Sequence, residues 1–262
     1  MAYDYEWFKK AVYDLTKIDL NSYKEKQMKR RIDTLIGKYD VKGYDGFADL
    51  IKKDREALDS FVSYLTINVS EFFRNADQWN LMDKEMVPEL MKKFGKNLKI
   101  WSAACSTGDE PYTIVMMLSK HMPLNQINVL ATDLDAVVLA KAKAGIYDKK
   151  EVAGVPAEFK SKYFEETPDG KMKVSEEIKS RVTFKQADLL RDPYPKDCHL
   201  LVCRNVLIYF TEEAKDEIFR KYYDSLAPGG ILFIGSTEQI INYKEMGYVR
   251  KNSFYYERPM IS

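Results

Sequence analysis

Ala103-Ala104-Cys105-Ser106-Thr107-Gly108-Asp109-Glu110 is the stretch on which the fold turns. A short apolar run, Leu98–Ala104, leads into it, and a helix-like stretch, Pro111–His121, leads out, so it reads as a strand-to-helix turn. Further apolar runs follow at Ile127–Thr132, Val182–Ala187, Leu200–Val202 and Ile231–Gly235. Helical periods lie between them at Asp135–Ala144 and at Glu212–Leu226, the second closed by Ala227-Pro228-Gly229-Gly230. Buried strands alternating with helices predict an α/β domain on a mostly parallel sheet. The aromatic stretch Tyr248–Glu257 predicts a final antiparallel strand. Gly145–Arg181 breaks the alternation. Its turn signal, Thr167-Pro168-Asp169-Gly170, lies between Tyr163-Phe164 and Met172–Val174, which predicts a small inserted hairpin.

Upstream of Leu98 the period is helical throughout. Trp7, Phe8, Ala11, Val12 and Leu15 recur at that spacing, as do Met28, Ile32, Leu35, Ile36 and Tyr39. Two shorter helices are expected at Tyr44–Ile51 and Leu58–Leu65, and one continuous helix from Asp77 to Phe94, stopped by Gly95. The expected organisation is an all-α N-terminal domain over 1–70, a connector and helix over 71–97, and an α/β domain over 98–262. The inserted β-subdomain occupies about 145–181 of the last.

Composition narrows the function. Hydrophobic residues at 45% and aromatics at 13% suit a packed globular chain. Lys+Arg 41 against Asp+Glu 40 leaves no basic excess for a nucleic-acid partner. No run approaches the ~18–20 apolar residues of a membrane span, and the start Met-Ala-Tyr-Asp-Tyr-Glu lacks the basic-then-apolar pattern of a signal peptide. Three cysteines without CxxC spacing and two distant histidines predict neither a disulfide framework nor a metal site. A soluble cytoplasmic protein is expected.

In an open α/β sheet the ligand lies beyond the carboxyl ends of the strands, against the first turn. A dinucleotide site needs G-x-G-x-x-G, whose free N–H groups hold a pyrophosphate. The turn at Ala103–Glu110 instead has one glycine and two adjacent acids, which favours a cationic ligand. One of those acids is accounted for by the helix dipole, worth ~0.3–1 kcal/mol. Asp133 ends the second strand, where a carboxylate accepts both ribose hydroxyls, and Asp135 is the better cap for the helix that follows. A positive charge plus a ribose points to S-adenosylmethionine.

Four blocks carry a family resemblance. They are Thr66-Ile67-Asn68-Val69-Ser70-Glu71-Phe72-Phe73-Arg74, Trp101–Tyr112, Ala131-Thr132-Asp133-Leu134-Asp135 and Cys203-Arg204-Asn205-Val206-Leu207-Ile208-Tyr209-Phe210. In family order and over nearly the whole chain, they resemble the signatures of CheR, the chemotaxis receptor glutamate methyltransferases. The resemblance implies a Rossmann-like S-adenosylmethionine-dependent methyltransferase domain with a small inserted β-subdomain, preceded by an all-α N-terminal domain. It implies cofactor contacts from Asn68, Ser70, Arg74, Glu110, Asp133, Asp188, Leu189, Arg204 and Asn205, with S-adenosylhomocysteine as product and no metal. Arg74 would pair with the methionine carboxylate or orient the substrate carboxylate. Tyr209 would offer its ring or hydroxyl near the sulfonium, so Arg74 and Tyr209 are the candidate catalytic residues. Glu110 is the choice for the cofactor's ammonium, and Asp109 is expected to be a solvated acid at the helix start. Asp192-Pro193-Tyr194 reads as a turn.

A glutamate substrate is already an anion at neutral pH, so alignment and desolvation are expected to suffice, with no general base and no covalent role for Cys105. The resemblance also implies a partner. Lys26, Lys29, Arg30 and Arg31 would meet the acidic methylation helices of a chemoreceptor's cytoplasmic region, recruiting the protein to membrane-bound receptors. In some members the β-subdomain docks a C-terminal receptor peptide by strand addition. Two other readings stay open at this point. One is a methyltransferase of the same fold acting on a small molecule or nucleic acid; the other is a non-catalytic receptor-binding adaptor.

Overall fold

The computed structural model describes residues 3–260. The chain divides into two compact units, 3–68 with Tyr209–Asp216, and Val69–Ile208 with 217–260.

The first unit is helical: α1 (Tyr5–Thr16), α2 (Glu25–Ile36), α3 (Gly43–Lys53) and α4 (Arg55–Thr66). Asp4 and Asp54 cap α1 and α4 by accepting backbone N–H bonds, the chemistry expected of an acid at that position. The apolar stripes predicted by period supply the buried faces: Phe8 and Val12 of α1, Met28, Ile32 and Leu35 of α2, with Phe47 and Phe61 between them, while Leu15 at the end of α1 is exposed. Tyr23 stacks on Phe210 at 4.7 Å, and Lys24 N–H donates to the Tyr209 carbonyl at 3.0 Å, which ties the Tyr209 segment to this unit.

The second unit opens with α5 (Ala76–Leu81) and α6 (Val87–Phe94), joined by a π-helical turn at Met82–Met86. The single helix expected over this stretch thus runs on from α5 to α6, with the π-helical turn inside it. Next come β1 (Ile100–Ala103), α7 (Asp109–Leu118), β2 (Val129–Asp133), α8 (Ala136–Ala144), β3 (Ile146–Tyr147), α9 (Ala157–Tyr163), β4 (Phe164–Glu166), β5 (Met172–Val174) and α10 (Glu176–Lys179). The chain ends with β6 (Val182–Gln186), β7 (Cys198–Cys203), α11 (Glu212–Ser225), β8 (Leu226–Ile234), β9 (Val249–Arg250) and β10 (Tyr255–Glu257).

The main sheet has the order β6-β2-β1-β7-β8-β10-β9. Its pairs are parallel from β6 to β8 and antiparallel at β10 and β9, as the alternation and the aromatic tail predict. Ile100, Val129, Leu200, Ile231 and Phe233 face a core shared with α5 to α7, and Tyr222 of α11 meets Trp101 on the other face at 5.7 Å. Strand order reverses between β1 and β7, so their carboxyl ends frame the crevice where ligands of such sheets bind.

Two local readings change. Ala227-Pro228-Gly229-Gly230, read as a helix stop, lies inside the nine-residue β8. The register against β7 slips between Cys198 and Leu200, and a Cβ on Gly230 would stand 2.6 Å from the Cys198 carbonyl oxygen. Glycine is thus the residue that lets the two backbones approach. The insert is also more than a hairpin. The hairpin β4–β5 exists, turned at Gly170, but β5 is the central strand of a three-stranded sheet of order β3-β5-β4.

Candidate active site

The turn after β1 takes an unusual backbone path. Ala104 (φ 59°), Ser106 (φ 50°) and Gly108 (φ 92°) all enter the left-handed region. Such conformations cost about 1–3 kcal/mol for non-glycine residues and persist where surrounding bonds over-determine them. Here Cys105 N–H donates to the Thr132 carbonyl (2.9 Å), Ser106 N–H to Asp133 Oδ2 (2.7 Å) and the Tyr147 hydroxyl to the Thr107 carbonyl (2.6 Å). The short strand β3 that sequence reading missed therefore supplies a brace for the turn. Gly108 has no alternative: a Cβ there would lie 2.9 Å from Ala142 Cβ and 3.1 Å from the Tyr147 hydroxyl. Gly108→Ala is expected to lower unfolding free energy by about 2 kcal/mol, the scale of a strained left-handed residue plus a displaced helix. Urea titration of the two proteins measures this, and equal midpoints would show that the turn has another path.

The two acids separate. Asp109, expected in solvent, is 2% exposed: its Oδ2 accepts from Thr107 Oγ1 at 2.5 Å and its carboxylate also bonds the Ser70 side chain. Thr113 Oγ1 donates to the Asp109 carbonyl (2.7 Å) and accepts from Phe73 N–H (3.1 Å), so this corner latches the connector onto α7. Glu110 keeps a side chain 12% exposed, accepts from Ser102 Oγ at 2.8 Å and lies 3.9 Å from an Arg204 nitrogen. Burial pushes its carboxyl up to about 7, against the pull of Arg204, Ser102 and Arg74. Asp133, 6% exposed, is pushed up to about 6 by burial; its Oδ1 accepts from Asp135 N–H at 3.0 Å. Asp135 is the α8 cap, accepting from Val137 and Val138 N–H, which is the division of labour the sequence suggests.

Arg204, just after β7, is 8% exposed and lies over the Trp79 and Phe233 rings at 5.2 and 4.7 Å. It donates to the Arg74 carbonyl (2.8 Å), Asn75 Oδ1 (3.2 Å) and Gln78 Oε1 (2.9 Å). The guanidinium thus holds the connector in place and presents its remaining charge to Glu110. Arg74 is half-buried, with one terminal nitrogen on the Val69 carbonyl at 3.1 Å. Asn205 has φ 61°, with its backbone N–H on Glu238. Asp188 is half-buried and raised by burial; Asp192 N–H donates to the Asp188 carbonyl at 2.9 Å, so the turn expected on Asp192-Pro193-Tyr194 lies just before it instead. Asp188 and the buried Leu189 line a cleft of about 210 Å³ with Trp101, Thr132 and Tyr194.

Ser70, Arg74, Glu110, Asp133, Asp188, Leu189, Arg204 and Asn205 therefore all belong to one unit. Asn68 and Tyr209 do not: both group with the helical unit. Of the basic residues on α2, Lys26 and Arg30 are exposed, and Lys29 is half-buried and paired with Asp33 at 2.7 Å. Arg31 turns inward, donating to the Tyr64 carbonyl at 2.5 Å with its guanidinium 4.6 Å from the Tyr64 ring centre. The Cys105 thiol is buried and pushed up by burial and by Asp133 and Glu110, so it stays a neutral thiol. Asp109, Tyr147 and Glu238 are the residues that sequence reasoning left without a part in the site.

The residues fit an S-adenosyl ligand. Ser106 Oγ, Arg204 Nε and Asn205 Oδ1 are buried without a partner among the described residues, as polar atoms that face a ligand are. An acid beside a left-handed turn at β1 and a second acid at the end of β2 suit an S-adenosylmethionine-dependent methyltransferase. The family models agree in detail: the all-alpha domain of CheR methyltransferase matches residues 3–66, and its SAM binding domain matches 68–255. A chemotaxis protein methyltransferase of Listeria innocua is 40% identical over 253 residues, covering 97% of this chain and 96% of that protein. One of Borreliella burgdorferi is 32% identical over 255 residues, covering 92% and 89%. The chain belongs to the CheR methyltransferase family.

Proposed function

We propose that the protein methylates glutamate side chains of chemotaxis receptors, yielding glutamate methyl esters and S-adenosylhomocysteine for sensory adaptation. The observation that carries this reading is full-length similarity, across both units, to proteins named chemotaxis protein methyltransferases. S-adenosylmethionine, when bound, supplies a methyl group on a positively charged sulfur that a carboxylate can take directly. The chain's own task is to hold and align. Glu110 receives the cofactor's ammonium, Arg74 its carboxylate or that of the substrate, and Asp133 the ribose hydroxyls. Asp188 and Leu189 border the adenine, and Ser70, Arg204 and Asn205 line the methionine end; Asn68 and Tyr209 are the contacts that the family resemblance alone implies. No group need remove a proton, since a glutamate side chain is ionised at neutral pH.

The receptor's acidic methylation helices would meet α2, where Lys26 and Arg30 stand exposed and Lys29 adds its charge beside them. Arg31 supports that helix from within through Tyr64. The edges of the three-stranded sheet suit strand addition by a receptor C-terminal peptide. No helix among the described residues is long and apolar enough to cross a membrane. The relatives' names are what suggest action in the cytoplasm on membrane-bound receptors.

The test is transfer of labelled methyl from S-adenosylmethionine to membranes bearing chemoreceptors. Base-labile label on receptor glutamates is expected. Label on RNA or small metabolites, or tight cofactor binding without transfer, counts against the reading. Lys26→Glu with Arg30→Glu is expected to slow receptor methylation about tenfold or more, since exposed charges act mainly on encounter. S-adenosylhomocysteine affinity should stay unchanged, and its loss in this variant would mean the patch serves the cofactor instead.

A further inference from the structure

Glu238 lies beyond β8 in Gly235-Ser236-Thr237-Glu238, outside every motif discussed above. It is 7% exposed, and its carboxylate is met by backbone N–H groups rather than by a cation. Oε1 accepts from Val206 (3.0 Å) and Leu207 (2.8 Å), and Oε2 from Asn205 (2.8 Å) and Gly235 (2.8 Å). Three successive N–H groups converging on one anion form a concave nest, the arrangement by which turns elsewhere hold phosphates. Here the anion is a side chain of the same protein. The turn it fills begins directly after Arg204, and its first residue, Asn205, sits in the left-handed region with Oδ1 buried and unpartnered. Among the described residues the Asn205 amide nitrogen reaches Thr237 Oγ1 alone, at 3.4 Å. Across the turn, a Cβ on Gly235 would stand 2.8 Å from Asn205 N and 2.9 Å from Asn205 Nδ2. The space is set from both sides.

We propose that Glu238 is a positioning residue of the methyltransferase site: its carboxylate fixes the Asn205–Leu207 turn and thereby aims the Asn205 side chain at the cofactor. The inference rests on the reading that Asn205 faces the cofactor. Glutamine at 238 keeps the length but offers one acceptor oxygen, and its amide nitrogen would oppose N–H donors. Aspartate keeps the charge at a shorter reach.

Calorimetric titration of the full chain with S-adenosylhomocysteine, alongside thermal melting, tests this with Asn205→Ala, Glu238→Gln, Glu238→Asp and the Asn205→Ala/Glu238→Gln double variant. Glu238→Gln is expected to bind about tenfold more weakly, the worth of one good hydrogen bond, with Glu238→Asp recovering part of that. The double variant should bind no worse than Asn205→Ala alone, because a residue acting through another is non-additive with it. Should Glu238→Gln fail to fold, Gly235→Ala displaces the same turn from the opposite side and carries the same expectations. Wild-type affinity in Glu238→Gln, or additive losses in the double variant, overturns the positioning role alone. Wild-type affinity in Asn205→Ala overturns the reading of Asn205, and the positioning role with it.

Discussion

Lowering the pH from 8 to 6 should weaken S-adenosylhomocysteine binding by about tenfold, and Glu110→Gln should abolish most of that slope. The Glu110 carboxyl is held up to about 7 by burial. Its ionised fraction falls from roughly nine-tenths to one-tenth across that interval, and only the anion pairs with the ligand's ammonium. Binding below pH 7 must therefore release a proton. Calorimetry in buffers of different ionisation enthalpy detects that proton directly. The same shift has a sign for the ligand-free protein. An acid titrating near 7 when folded and near 4.3 when unfolded keeps a proton that the unfolded chain has lost. Stability from this group should thus fall as pH rises from about 4.5 to about 7 and stay level above. A Glu110→Gln protein that kept the full pH slope of binding would assign the titration elsewhere.

Asp133→Ala should weaken S-adenosylhomocysteine by about 100-fold or more, the sum of two charged hydrogen bonds to ribose hydroxyls at about 1.5–3 kcal/mol each. It should also loosen the turn, because Ser106 and Asp135 lose the acceptor of their N–H groups. Each buried N–H left without a partner costs about 1–3 kcal/mol, visible as an earlier urea midpoint. A ligand lacking the 2′-hydroxyl separates the two effects. It should bind the wild type more weakly than the parent ligand does, and bind Asp133→Ala equally well. An undiminished preference for the hydroxyl in the variant would remove Asp133 from the ribose.

Much of this site is legible in the sequence because its chemistry is local. Small residues with one glycine after a buried strand announce a turn a ligand can approach, and an acid at the end of the next strand marks the place proposed for the ribose. The Asp133/Asp135 division could be foreseen for the same reason: a capping residue is recognised by the helix that follows it. Asp109 and Glu110 could not be told apart, since both stand at the first turn of α7. Ser70, Thr107 and the connector bury one, while Ser102 and Arg204 face the other. Arg31 looks like its basic neighbours in the sequence, yet Tyr64, on a different helix, draws it inward.

Sequence alone thus determined the succession of strands and helices, the helical N-terminal region, the insert and the acids of the ligand turn. Each rests on periodicity or on contacts within a few residues. Tertiary structure decided the remainder. It threaded β8 through Pro228-Gly229-Gly230, because pairing with β7 outweighs local stop signals. It added β3, whose Tyr147 braces the turn across 40 residues, and Glu238, which reaches Asn205 across 33. Among the two acids of Ala103–Glu110, it tied Asp109 to Thr107 and Ser70 as a latch and set Glu110 against Ser102 and Arg204. Bonds between distant segments leave no period in the chain, and packing alone brings their partners together.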